Sequence, residues 1–179
     1  HSFTMPDGRI IDTSTIDPEV ERAQHERVTA TGARYLEAPL SGGTAGARKG
    51  TLTLMVGGDA ATLDAVRPAL EPFSGLVVHV GGPGMGQVVK LCNNLIAGVC
   101  GVAVSEAFRI AEGFGMDPTV VTDVISKSSG NTFLMGGHSL DFFDFYRHAD
   151  NAFVYETSNR DPRVWQWDSY LCDVGRVVS

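Results

Sequence analysis

In "GGPGMGQVVKLCNN", residues 81–94, Lys90 stands four residues after Gly86 and four before Asn94. A lysine amine can take the proton of a hydroxyl group or return one to a carbonyl oxygen, and a carboxamide one helical turn away can orient the amine or its substrate. If the segment is helical, the three residues share one face, and Gly98, Gly101 and Ser105 continue it as a row of small residues. Glycine costs about 1 kcal/mol per helical position relative to alanine, so such a row implies a close approach by a backbone, a substrate or a cofactor. A packing seam, with Lys90 reaching solvent along its stem, fits the spacing equally well.

The same glycines invite a second reading, as a loop around a nucleotide phosphate. A dinucleotide fingerprint needs glycines at i, i+2 and i+5. Gly82 and Gly84 meet the first two requirements, but the third position is Gln87, and Pro83 removes an amide that could face a phosphate. A helix start is the better expectation. In "APLSGGTAGARKGTL", Ser41, Gly42 and Gly43 follow a strand, and their consecutive amides can form a nest for a carboxylate. Taken alone, that stretch reads first as a plain glycine turn.

The elements that must hold these residues alternate in the first half. "RIID" reads as a strand, and Asp17 and Pro18 open a helix that Gly32 closes. "RYLEA" and "TLTLMVGG" read as strands, the second with Leu52, Leu54 and Val56 on one face. "AATLDAVRPAL" reads as a helix that Pro68 breaks or restarts, and "LVVHV" as the next strand. From Gly84 to Glu112 there is no proline, and Leu91, Leu95, Val99 and Val102 recur at near-helical steps as an apolar stripe. One helix of about 29 residues, roughly 40 Å long, is expected there. Asp117 and Pro118 open another, with Val121, Val124 and Ile125 as its buried stripe. The fold class is thus α/β followed by all-α, divided as 1–83, 84–140 and an atypical tail over 141–179.

Composition excludes some partners. Twenty-one acidic residues against 14 basic ones give a net charge of -7, and no basic cluster is present to hold a nucleic acid. The most apolar stretch, Leu95 to Val104, is too short to span a bilayer, so no membrane segment and no signal peptide is expected. Cys92 and Cys100 lie about 12 Å apart along one helix, too far for a disulfide, and a reducing compartment is expected. In the tail, His138, Asp141, Asp144, His148 and Asp150 match no ligand spacing, so a solvated acidic segment is expected there and no metal site.

Taken together and in this order, "DTSTIDP" (12–18), "APLSGG" (38–43), "TLTLMVGG", "GMGQVVKLCNN" and "SEA" (105–107) resemble the β-hydroxyacid dehydrogenase family. The likeness covers about Ile10 to Gly130. "KLCNN" with "SSGN" is nearer the branch that oxidises 3-hydroxyisobutyrate than the tartronate semialdehyde reductases. The resemblance implies a Rossmann-type domain joined by a long helix to a helical domain. It makes Lys90 the catalytic residue, with Asn94 and the Ser41, Gly42 and Gly43 segment binding substrate and Thr15 contacting the cofactor. It implies NAD, with NADP possible, a small 3-hydroxy acid as partner, and a homo-oligomer. The compartment it implies is the cytoplasm in a bacterium or the mitochondrial matrix in a eukaryote.

Two departures accompany the likeness. Family members begin with GxGxxG, which occurs nowhere here, and the chain starts at His1, so it is expected to begin partway through the dinucleotide domain. The tail also lacks the family's further lysine, as an altered reading frame, exon or gene boundary would produce. The chain by itself is therefore expected to be a fragment that binds NAD poorly. A non-enzymatic fragment whose long helix serves as a partner surface is the alternative.

Overall fold

The computed structural model describes residues 2–135, which divide after Asn93 into two compact units. The first is built on a six-stranded mixed sheet. Strand β1 (Ser2–Thr4) pairs antiparallel with β2 (Ile10–Asp12), and β2 pairs parallel with β3 (Tyr35–Glu37). Between β2 and β3 runs α1 (Pro18–Thr29), opened as expected by Asp17, whose carboxylate accepts from the Glu19 and Val20 amides.

Strand β5 (Leu52–Gly58) is central. On one edge it carries β3, with Glu37 opposite Gly57, and then β4 (Leu40–Ser41), with Leu40 opposite Leu54, both antiparallel and in one continuous register. Ala38 and Pro39 interrupt this edge, because proline brings no N–H to a ladder, yet the Pro39 carbonyl still accepts from Met55 N–H at 3.0 Å. On the other edge β5 pairs parallel with β6 (Ser74–Gly81). Leu52, Leu54 and Val56 turn to the core as their period of two requires, against Ile11, Leu36, Leu63, Val66 and Leu70.

Strands β1 and β4 and helix α2 (Gly43–Lys49) add to the expected elements, and α3 (Ala60–Leu70), expected to break or restart at Pro68, runs unbroken through it. Pro68 is exposed, so its ring and missing amide act on the solvent side, while Leu63, Val66 and Leu70 keep the helix on the sheet.

Helix α4 (Met85–Gly113) begins in the first unit and continues into the second. It has the length expected, and by length and composition alone it could cross a membrane, which the stretch Leu95 to Val104 did not suggest. The spacing left open which of its sides turns inward. Leu91 is buried, but Leu95, Val99 and Val102 are exposed, Val99 at 61%, whereas Gly86, Gln87, Lys90, Asn94, Gly101 and Ser105 are buried. In the second unit, Val104 and Phe108 of α4 pack with Val121 of α5 (Pro118–Ile125), Leu134 and Met135. Asp117 caps α5 as expected through the Thr119 amide. Of the stripe expected there, Val121 is buried and Ile125 packs partly, but Val124 is exposed.

Candidate active site

The site is assembled where the first turn of α4 meets the carboxyl ends of the parallel strands β2 and β3, the place where sheets of this kind hold ligands. The close approach is made by glycine. A Cβ on Gly86 would lie 2.5 Å from the Met55 carbonyl oxygen and 3.2 Å from the Glu37 carboxyl. The row of small residues therefore answers, at Gly86, to a neighbouring backbone. A Cβ on Gly57, opposite Glu37 in the sheet, would also strike the Glu37 carboxyl.

Glu37 itself is buried, and its Oε1 accepts from Gly86 N–H at 2.8 Å, while Oε2 has no hydrogen-bond partner. Loss of water raises its carboxyl to about 7; the Gly86 amide opposes the shift and the charge of Glu21 adds to it. Glu21 is buried too, and burial pushes its carboxyl upward, as does the charge of Asp12. Asp12 goes the other way: burial would raise it, but hydrogen bonds from Ser14 together hold it below the usual range.

Gln87 joins α4 to the loop after β2. Its Oε1 accepts from Ile16 N–H at 3.1 Å, and its Nε2 donates to the Ser14 carbonyl at 2.9 Å and to Glu21 Oε2 at 3.3 Å. The two bonds to the chain bracket Thr15, which is half-buried. The position that should be the third glycine of a phosphate loop is thus a buried side-chain clamp.

Lys90 lies one turn beyond Gln87 and is 4% exposed; Asn94, one turn further on the same helix, is 3% exposed. Lys90 is not snorkelling to solvent, which removes that reading of the spacing. Ser41 ends β4, and Gly42 and Gly43, at φ 125 and 58, turn the chain into α2, where no side chain caps the first-turn amides. Gly42 and Gly43 are exposed. The connection between this segment and α4 runs through β5, where Ser41 pairs with Thr53 and Met55 meets Gly86.

Two family models match in succession: the NAD-binding domain of 6-phosphogluconate dehydrogenase over residues 2–81, and the NAD-binding domain of NADP-dependent 3-hydroxyisobutyrate dehydrogenase over residues 84–163. The mitochondrial 3-hydroxyisobutyrate dehydrogenase of Drosophila melanogaster is 42% identical over 124 residues, 69% of this chain and 38% of that protein. The chain belongs to the β-hydroxyacid dehydrogenase family.

Other members agree. The 3-hydroxyisobutyrate dehydrogenase of Pseudomonas aeruginosa is 41% identical over 126 residues, 70% of this chain and 42% of that protein. The solved structure of the Mycobacterium tuberculosis 3-hydroxyisobutyrate dehydrogenase with L-serine superposes with a TM-score of 0.67 at 31% identity, over 94% of this chain and 65% of that one. The chain spans about two fifths of the length of these curated relatives. The second family model extends past residue 140, where the pattern was expected to change.

As a β-hydroxyacid dehydrogenase chain, it carries the α/β unit and long helix that the motif order implied, and both matched models are NAD-binding domains. Glu37, Glu21 and Gln87 were missed as residues that build the site. Two signals were available, a glutamate inside the apolar strand "YLEA" and a glutamine where a glycine should be. The cluster from His138 to Asp150 lies outside the described residues. Among the described residues no group of three His, Cys, Asp or Glu side chains could hold a metal ion, and Cys92 and Cys100 are free thiols.

Proposed function

We propose that the intact protein carrying this chain is a nicotinamide-dependent 3-hydroxyacid dehydrogenase that oxidises 3-hydroxyisobutyrate to methylmalonate semialdehyde, a step of valine breakdown. The observation that carries the reading is the burial of Lys90, with Asn94 one turn away, on the α4 face that begins at Gly86. NAD, or NADP, supplies the hydride acceptor when bound. The residues present fit the nicotinamide end of such a cofactor: Thr15 sits on a loop held against α4, at the carboxyl end of β2.

In the oxidation the alcohol carbon gives up a hydride and its hydroxyl gives up a proton. Lys90 takes that proton, so it begins as the neutral amine. In the reverse direction its ammonium polarises the carbonyl oxygen and returns the proton. Asn94 orients the substrate beside the amine. The amides of the Ser41, Gly42 and Gly43 segment, at the start of α2, receive the carboxylate, fixing the acid end so that the alcohol carbon faces the nicotinamide. Tartronate semialdehyde reduction is the alternative substrate reading, and a comparison of kcat/KM for the two substrates separates them.

Lys90→Ala in the intact protein should lower kcat by about a hundredfold to ten-thousandfold with little change in substrate affinity. An undiminished kcat would remove Lys90 from the mechanism. The isolated chain, without GxGxxG, should bind NAD poorly, and micromolar affinity by calorimetric titration would contradict that.

The exposed apolar side of α4, formed by Leu95, Ile96, Val99, Val102 and Ile110, supports a homo-oligomer in which this face is covered. The same face would serve a non-enzymatic fragment as its partner surface. Relatives include a mitochondrial insect protein and bacterial proteins, so the compartment follows the source: cytoplasm in a bacterium, mitochondrial matrix in a eukaryote.

A further inference from the structure

We infer that Gln87 is a positioning residue for the cofactor: its carboxamide holds the Ser14–Ile16 segment in the arrangement that presents Thr15 to the nicotinamide. The inference rests on the dehydrogenase reading above. Strand β2 ends at Asp12, and Thr15 follows it on the loop to α1. There Gln87 accepts from Ile16 N–H and donates to the Ser14 carbonyl, so that Thr15 is held on both sides.

The amide can do this in only one orientation. If it were flipped, Nε2 would face the Ile16 N–H, and Oε1 would face both the Ser14 carbonyl and the Glu21 carboxylate, leaving buried groups of like kind opposed. Glu21, itself buried and accepting from Nε2 at 3.3 Å, sets the correct orientation. Gln87 is 0% exposed, so its bonds are not exchanged for water.

The consequence for catalysis is one of register. Lys90 is three residues further along the same helix. The clamp therefore ties the cofactor-facing loop to the helix that carries the proton acceptor. Hydride transfer needs reacting atoms within about 3.5 Å, and a loop free to shift by an ångström would lose that alignment.

The test uses the intact protein with Gln87→Met, which keeps length and burial but loses the hydrogen bonds, together with Thr15→Val and the double variant. NADH affinity is read by fluorescence titration and exposure of the loop by amide hydrogen exchange at Ile16. Gln87→Met should weaken NADH binding about tenfold and speed exchange at Ile16, while the KM for the 3-hydroxy acid stays within about threefold. If Gln87 acts through Thr15, the double variant should bind NADH within about twofold of the weaker single variant.

Equal NADH binding by Gln87→Met and wild type, unchanged exchange at Ile16, or losses that multiply in the double variant would each overturn this inference alone. Absence of NADH binding by the wild type would overturn the dehydrogenase reading and this inference with it. Should Gln87→Met not fold, Gln87→Glu keeps the acceptor for Ile16 N–H and removes the donor to Ser14. Weakened NADH binding then supports the clamp, and wild-type binding overturns it.

Discussion

Glu37 and Gly86 are 49 residues apart in the chain, yet the carboxyl of the first accepts from the amide of the second at 2.8 Å. A strand side chain thereby satisfies an open donor in the first turn of the helix that carries Lys90. The same carboxyl is buried, with its second oxygen unpartnered, and its folded pKa of about 7 lies above the ordinary 4.5.

Stability should therefore fall with rising pH across this range. A carboxyl raised on folding favours the protonated form, so its contribution is full below about 4.5 and is lost as pH rises through about 7. Glu37→Gln keeps an acceptor for the Gly86 amide and carries no charge to bury. Urea titrations at pH 5 and pH 8 should show the wild type losing on the order of 2 kcal/mol more than the variant over that interval. Parallel pH dependence in the two proteins would show that Glu37 does not titrate there.

Gly57 and Gly86 should respond differently to the same change. Gly86→Ala would gain about 1 kcal/mol on helix propensity alone, but its Cβ meets the Met55 carbonyl at 2.5 Å, and a net loss of roughly 2–4 kcal/mol is expected. Gly57→Ala collides with the Glu37 side chain instead. Adding Glu37→Ala should recover much of the Gly57→Ala loss and little of the Gly86→Ala loss, because only one of the two obstacles is a removable side chain.

The outward face of α4 makes a prediction about assembly. Ile96→Lys with Val99→Glu places two charges among Leu95, Val102 and Ile110, on a face that is exposed in the single chain. Light scattering on the intact protein should show a smaller oligomer for the pair, with a melting temperature for the dissociated chain that requires no core loss. An unchanged mass would mean that this face is not an interface.

Asp17 and Asp117 offer a more local test. Each accepts from amides two or three residues on; Asp17→Ala should cost about 1 kcal/mol of stability, and Asp117→Ala should lower the melting temperature. Asp17→Ala should in addition quicken amide exchange in the Thr13–Ile16 loop just before it, which Asp117→Ala should leave alone.

The sequence by itself determined what is decided within a few residues. Asp17 with Pro18 and Asp117 with Pro118 mark helix starts because caps act across two or three positions, and the alternation of Leu52, Leu54 and Val56 marks a strand face because the pleat has a period of two. The motif order pointed to the family, and the helical period placed Gly86, Lys90 and Asn94 on one face. The period could not say which face of α4 turns inward, since the helix carries both an apolar stripe and a small, polar row. Tertiary structure decided for the polar row. Gly86 admits the Met55 carbonyl, Glu37 caps the Gly86 amide, and Gln87 reaches a loop 71 to 73 residues earlier in the chain. A buried polar group is stable only with its partners in place, and when those partners are dozens of residues away no local pattern reveals them.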